Sequence, residues 1–298
     1  MLARPLTPTC ALTWLALAAP ACCGNDRRAV VQGSPPKSST PAGPTAAPST
    51  PRPASGQGRA LSPHLSLGVP TDADPSDDLR LIKPQYALSY NPGRNGANWV
   101  SWNLNATHFG PAKRHQGKFL VDDQLPPGTY RVRHEDYTDS GFDRGHMVRS
   151  EERTASPDDN RSTFLLTNIL PQTHDLNAGP WLRLESYCQE LARNGKELFV
   201  VAGPLYAANP PRIGRGVAVP EAFFKVVVVL ERGQSAAHVG PATRVIAVRM
   251  PNTTGVSADD WRRYRTRVDE LERASGYDLL TDVAESTQAL VEARLDTE

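Results

Sequence analysis

The run Asp143-Arg144-Gly145-His146-Met147 puts a carboxylate, a guanidinium and an imidazole side by side. A second block follows it: Thr167-Asn168-Ile169-Leu170-Pro171-Gln172, then Leu176-Asn177-Ala178-Gly179-Pro180-Trp181 and Leu184-Glu185. Together they place a proton acceptor, an arginine, a neutral oxygen ligand and a carboxylate within about forty residues. Those parts suit metal-assisted hydrolysis of a phosphodiester. A general base activates water, a hard cation takes the charge on the phosphate, and an arginine holds the substrate oxygens.

Such groups work only if the backbone aims them. β-Formers and alternation predict strands over residues 87–90 and 99–104, separated by the turn signal Asn91-Pro92-Gly93. Residues 141–148 and 164–169 read as a strand pair joined by a long polar loop containing Pro157-Asp158-Asp159-Asn160. Pro180 suits a first helical turn, and Trp181, Leu184, Cys188 and Leu191 recur at helical spacing up to Asn194-Gly195. The uncharged run 198–202 reads as a buried strand closed by Gly203-Pro204, and 223–230 and 244–250 are two more strands. Ser257-Ala258-Asp259-Asp260 resembles a capping box ahead of a helix whose apolar face is Trp261, Tyr264, Val268 and Leu271. The mixed order gives an α+β class, with a mixed or antiparallel sheet as core. Around the chemistry the order is strand, loop, strand, helix: a ββα unit with His146 late in its first strand and Asn177 just before its helix.

The 298-residue chain changes character near residue 66. Residues 24–66 form a Pro/Ser-rich linker too poor in large apolar side chains to offset the entropy of ordering it. Residues 67–298 are ample for one core. Residues 1–23 read as a signal peptide, with Arg4 ahead of the apolar run 11–19 and small residues Ala19 and Ala21 before Cys22-Cys23. The run is short for a membrane span. A cysteine directly after a signal core resembles a bacterial lipoprotein site, so Cys22 or Cys23 is a candidate lipid anchor. The expectation is an exported chain: periplasmic, tethered to the cell envelope, or secreted. Cys188 is then the one cysteine left in the folded part, which excludes an internal disulfide framework and fits a buried thiol. Whole-chain charge is +1, but residues 67–298 hold 27 basic and 31 acidic side chains, a net of −4. Attraction for a polyanion must therefore come from a local cluster.

The two blocks resemble the DNA/RNA non-specific endonuclease family, which includes secreted bacterial sugar-non-specific nucleases and mitochondrial endonuclease G. The likeness extends to Pro84-Gln85-Tyr86-Ala87-Leu88-Ser89-Tyr90-Asn91, Asn98-Trp99-Val100-Ser101-Trp102, Val201-Ala202-Gly203-Pro204 and Tyr264-Arg265-Thr266-Arg267-Val268-Asp269-Glu270-Leu271, covering roughly residues 80–280. It implies a ββα-metal site in which His146 is the general base. It makes Asn177 the protein ligand to Mg²⁺, with Mn²⁺ able to substitute, and Glu185 the residue that orients water of the metal shell. An amide oxygen suits a hard cation that keeps several waters. Arg144 and Arg114 become phosphate-clamp candidates, the latter in the basic loop Lys113-Arg114-His115-Gln116-Gly117-Lys118. Asn168 and Asp143 brace the site. One departure stands out: relatives often carry arginine four residues after the glutamate, where this chain has Gln189, and Arg193 lies one turn further on.

The resemblance implies an endonuclease that cuts DNA and RNA with little sequence preference and leaves 5′-phosphate ends. The alternative is a catalytically silent nucleic-acid-binding module on a membrane tether, against which the joint presence of His146, Asn177 and Glu185 argues. A structural zinc site is weaker, because His108, His115, His134 and His174 are scattered and Cys188 has no partner at ligand spacing. Oligomeric state and a protein inhibitor leave no mark in the residues.

Overall fold

A computed structural model describes residues 61–298. The signal segment, both anchor cysteines and the linker up to residue 60 lie outside the described residues. Six strands form one antiparallel sheet: β1 (Leu79–Ile82), β2 (Ala87–Asn91), β3 (Gly96–Leu104), β6 (Lys196–Leu205), β9 (Ala222–Glu231) and β10 (Arg244–Pro251), in that spatial order. Outside this sheet, β4 (Asp143–His146) pairs with β5 (Ile169–Gln172), and β7 (Arg212–Ile213) with β8 (Val217–Ala218). The fold is α+β with an antiparallel core, as expected.

Both faces of the large sheet are covered, which is why its central strands read as unbroken apolar runs rather than alternating ones. On one face Val100, Trp102, Val200, Phe223 and Val227 pack with Trp181, Leu184 and Cys188 of the helical segment and with Met147 and Leu170 of the β4–β5 unit. On the other face Trp99, Phe199, Phe224 and Val228 meet Leu65, Leu67 and the C-terminal residues Val268, Leu271, Leu280 and Val291. Leu65 is fully buried, and Ser101 Oγ donates to the His64 carbonyl at 2.7 Å. The last residues assigned to the linker by composition therefore belong to the packing. Ser62 caps the short turn Pro63–Leu65 by accepting from the His64 amide.

Several boundaries differ from the sequence reading. Residues 164–168 are not strand. They form a turn whose backbone bonds the 119–120 segment, through Leu120 N to Phe164 O at 2.9 Å and Leu166 N to Leu120 O at 2.8 Å. Their apolar side chains report burial against that segment, and the ladder to β4 begins only at Ile169. The polar loop contains a helix, α1 (Pro157–Ser162), capped by Ser156 accepting from Asp159 N. Serine at the cap and proline at the first position are ordinary helix-start signals. The strand over 198–202 continues through Gly203-Pro204 to Leu205. Its ladder to β3 ends at Ala202, so the missing N–H of Pro204 falls on an open edge where nothing requires it. The single helix expected over 261–271 is two elements, a turn (Trp261–Tyr264) and a later helix (Val268–Ser275). Between them Arg265 bridges Val248 and Thr266 N donates to Ala247 O at 2.9 Å, so pairing with β10 replaces a helical turn.

Candidate active site

β4 and β5 form a short hairpin-like ladder with Asp143 opposite Gln172 and His146 opposite Ile169. Asn168 lies just before β5 and is fully buried. Its Nδ2 donates to Val148 O and Thr163 O, both at 2.9 Å, and its Oδ1 accepts from Val148 N at 2.9 Å. Asn168 is thus a bracket that fixes the backbone on either side of β4's exit, and it acts through backbone groups. Gly145 has its own requirement: a Cβ there would overlap the Gln172 side chain. We predict that Gly145→Ala lowers the melting temperature and the cleavage rate together, with an overpacking cost of about 1–3 kcal/mol. An unchanged melting temperature would show that Gln172 simply moves aside.

The chain leaves β5 through Thr173 into a single helical turn, α2 (His174–Leu176), then a wide turn over Asn177–Trp181. Gly179, at φ −100° and ψ −120°, breaks the helical path. Pro180 therefore stands where the next stretch starts, and its missing N–H leaves no gap in a ladder. A Cβ on Gly179 would stand 2.9 Å from Ser257 Cα, so the wide turn is wedged against the 257 segment. The helix α3 (Leu182–Arg193) follows and buries Leu184, Glu185, Cys188 and Ala192 against the sheet. Cys188 is a buried free thiol, pushed up to about 12 by burial, which matches the packing role expected of it.

His146 lies in an aromatic cage. Its ring meets Phe164 edge-on with centroids 5.0 Å apart, and Phe119 at 5.4 Å. Its Nε2 is buried and makes no hydrogen bond within the protein. Burial first, then the positive charge of Arg114 and Arg149, pull its pKa down to about 3, with Glu151 opposing. The half-buried ring is therefore held in its neutral form at physiological pH, a proton acceptor rather than a cation.

Asn177 is joined to β4 by Asp143, whose Oδ2 accepts from Asn177 Nδ2 at 2.9 Å and contacts His174 Nδ1 at 2.9 Å. This bond uses the amide's NH₂ end and leaves Oδ1 as an acceptor not taken up by Asp143. Glu185 is buried, and its Oε1 also lacks a hydrogen bond. Its charge is balanced from two sides, by Lys225 Nζ at 3.6 Å from Oε1 and Arg149 Nε at 3.8 Å from Oε2. Burial still raises its pKa above the usual carboxylate value. A neutral amide oxygen, a carboxylate and a neutral imidazole are the groups a hydrated hard cation beside a general base requires.

The arginines sort differently from their order in the sequence. Arg114 reaches the histidine's surroundings: its Nη1 contacts Ser150 Oγ and, at 3.1 Å, Glu151 Oε1, and its guanidinium lies over Phe164 at 4.9 Å. Arg144 donates to the His134 carbonyl at 2.8 Å and is flanked by Phe119 and Tyr137 at 5.8 and 5.6 Å, so in this state it braces the aromatic cage. Arg149 was not singled out by sequence, yet it acts on both His146 and Glu185. Its spacing of three from His146 was the available signal. Gln189 Nε2 is buried without a partner, and Arg193 is stacked 3.9 Å over Phe109. The other omission is Lys225, a lone charge in Phe223-Phe224-Lys225-Val226-Val227. It is 1 % exposed, 4.0 Å above the Trp181 ring, and holds Glu185 from below.

A ββα unit carrying these groups on the flank of an antiparallel sheet defines a class of phosphodiester-cleaving enzymes, and comparison with known proteins gives the family. The profile of the DNA/RNA non-specific endonucleases matches residues 63–286. A nuclease of Nostoc sp. (strain PCC 7120 / SAG 25.82 / UTEX 2576) is 45% identical over 242 residues, covering 80% of this chain and 87% of that protein. Human mitochondrial endonuclease G is 32% identical over 206 residues, covering 65% of this chain and 67% of that protein. Among solved structures, a chain of the EndoG/EndoGI complex, described as showing the mechanism of EndoG inhibition, superposes with a TM-score of 0.64 at 26% identity, over 80% of this chain and 94% of that one. The chain belongs to the DNA/RNA non-specific endonuclease family and is a hydrolase acting as a non-specific endonuclease.

Proposed function

We propose that the protein is an exported, Mg²⁺-dependent endonuclease that cleaves DNA and RNA to leave 5′-phosphate and 3′-hydroxyl ends. The observation that carries the reading is a neutral His146 imidazole on the strand whose Asp143 ties down the Asn177 amide through its NH₂ end, leaving the amide oxygen out of that bond. Asn177 and, through water, Glu185 would hold the metal, which supplies electrophilic stabilisation of the phosphate charge. His146 takes the proton of the attacking water as its oxygen bonds phosphorus; the bond to the 3′ oxygen breaks, and that oxygen takes a proton from water to leave as the hydroxyl. Arg114 and Arg149 offer the phosphate oxygens charged donors in a part of the molecule whose net charge is otherwise negative. Contact through phosphate needs no base-edge code, consistent with little sequence preference.

Full-length protein should nick supercoiled plasmid and digest RNA in Mg²⁺, and excess EDTA should abolish both activities. Undiminished cleavage in EDTA would remove the metal from the mechanism. Mn²⁺ should restore activity after chelation. Export rests on the apolar run 11–19 and Cys22-Cys23. Cell fractionation with intact-mass measurement should find a chain shortened at or before Cys22 or Cys23, with added acyl mass if the anchor forms. An unprocessed Met1 in the cytosol would end the export proposal, and a processed chain without acyl mass would end the anchor.

A further inference from the structure

The C-terminal layer, on the sheet face away from α3, holds carboxylates that the cleavage reaction does not use. Asp269 and Glu272 stand three residues apart on α4 (Val268–Ser275) and so share a face. Glu292 ends α5 (Glu285–Val291) as its C-cap. One oxygen from each carboxylate lies within 4.8 Å of the others. Glu292 is 7 % exposed, and its Oε1 has no hydrogen-bond partner although it faces two further carboxylates. Glu272 accepts one bond, from Leu279 N at 2.8 Å. Among the described residues no lysine or arginine is ion-paired with any of the three, and the basic residue ahead of α4, Arg267, is spent on Glu270 at 3.2 Å. Asp278 adds a further negative charge to the surroundings.

A buried carboxylate oxygen without a donor, set among other carboxylates, is an expensive arrangement unless something positive completes it. We propose that Asp269, Glu272 and Glu292 form a second cation site, which takes a hard divalent ion of the Ca²⁺ class and clamps α5 to α4. All three donors are oxygens, and Asp269 and Glu272 are partly exposed, leaving water to fill the rest of the shell. Opposite oxygens of a Ca²⁺ shell stand about 4.6–5.2 Å apart, so three oxygens all within 4.8 Å of one another are close enough to share one such ion. In the absence of a cation, burial and mutual repulsion push Glu272 up to about 7 and Glu292 up to about 8, so a proton shared within the cluster is the competing solution.

Thermal melts of the full-length protein separate the two. Ca²⁺ at tenfold its Kd should raise the wild-type melting temperature by about 3–5 °C over EDTA. Glu292→Gln should melt no lower than wild type in EDTA, because it removes repulsion, and should lose the Ca²⁺ increment. Its plasmid cleavage in Mg²⁺ should be unchanged. Asn177→Ala should keep the increment, which separates this site from the one at the ββα unit. Asp269→Asn supplies the same comparison if Glu292→Gln does not fold. A wild-type protein with no Ca²⁺ increment, or an increment that survives in the cluster variant, would overturn the proposal in favour of a shared proton.

Discussion

His146→Ala is expected to lower the rate of plasmid and RNA cleavage by about 10²–10⁴ while the protein stays folded. The ring sits at the end of a short strand against Phe119 and Phe164, and its Nε2 supports nothing else in the protein. Removing it therefore deletes a proton acceptor and some aromatic contact, but no hydrogen bond from that nitrogen. The pH profile adds a second reading. Burial and the neighbouring arginines hold the imidazole near 3, well below its usual 6.5. A base whose pKa is depressed remains neutral as pH falls, so the acidic limb of kcat/KM should lie well below pH 6.5. A bound phosphate stabilises the imidazolium, and the limb in kcat should move upward from that of the free enzyme. A folded His146→Ala variant with near wild-type turnover would sink the assignment.

Much of the site was legible because its residue types are chemically unusual in their places. His146 after Asp-Arg-Gly and Asn177 before a helix could be read without coordinates, as could a carboxylate eight residues further on. The central strands were legible for a different reason: a sheet covered on both faces needs apolar side chains at every position, and β9 supplies Phe223, Phe224 and four consecutive valines. What failed was context. Phe164, Leu165 and Leu166 are apolar because they pack beside Phe119 and Leu120, and an apolar triplet does not say whether its backbone bonds a ladder or a turn. Pro204 ends a central strand by rule, yet here it falls beyond the last rung to β3. Arg149 and Arg144 are the same residue type within six positions, and only the surrounding rings and carboxylates separate a brace from a charge that acts on His146 and Glu185. Long-range contacts of this kind leave no local pattern. Lys225 is the clearest case, since its partner Glu185 is forty positions earlier on another element.

Lys225→Met should be among the most damaging single changes outside the groups that touch substrate. The replacement keeps an unbranched chain of similar length in a site that is 1 % exposed, so packing is largely preserved. What disappears is the cation 3.6 Å from Glu185 Oε1, leaving Arg149 at 3.8 Å as the remaining ion-pair partner. Breaking a buried pair by deleting one member costs about 3–5 kcal/mol, because the survivor stays desolvated. Glu152 suffers too. It accepts from Trp102 Nε1 at 2.9 Å, burial already raises it to about 7, and Lys225 is the leading influence holding it down. For Glu185 the direction is fixed by sign. Burial raises its carboxyl and Lys225 lowers it, so loss of Lys225 raises it further and shifts the population toward the protonated acid. A protonated Glu185 is a poorer partner for a cation, so the acidic limb of activity should move to higher pH and the rate should recover as pH rises. Loss through misfolding alone would show no such recovery. The double variant Lys225→Met/Glu185→Gln should regain part of the melting temperature, because no uncompensated charge remains at that position, without regaining activity. A Lys225→Met protein with the wild-type pH profile would show that Arg149 alone sets the ionisation of Glu185.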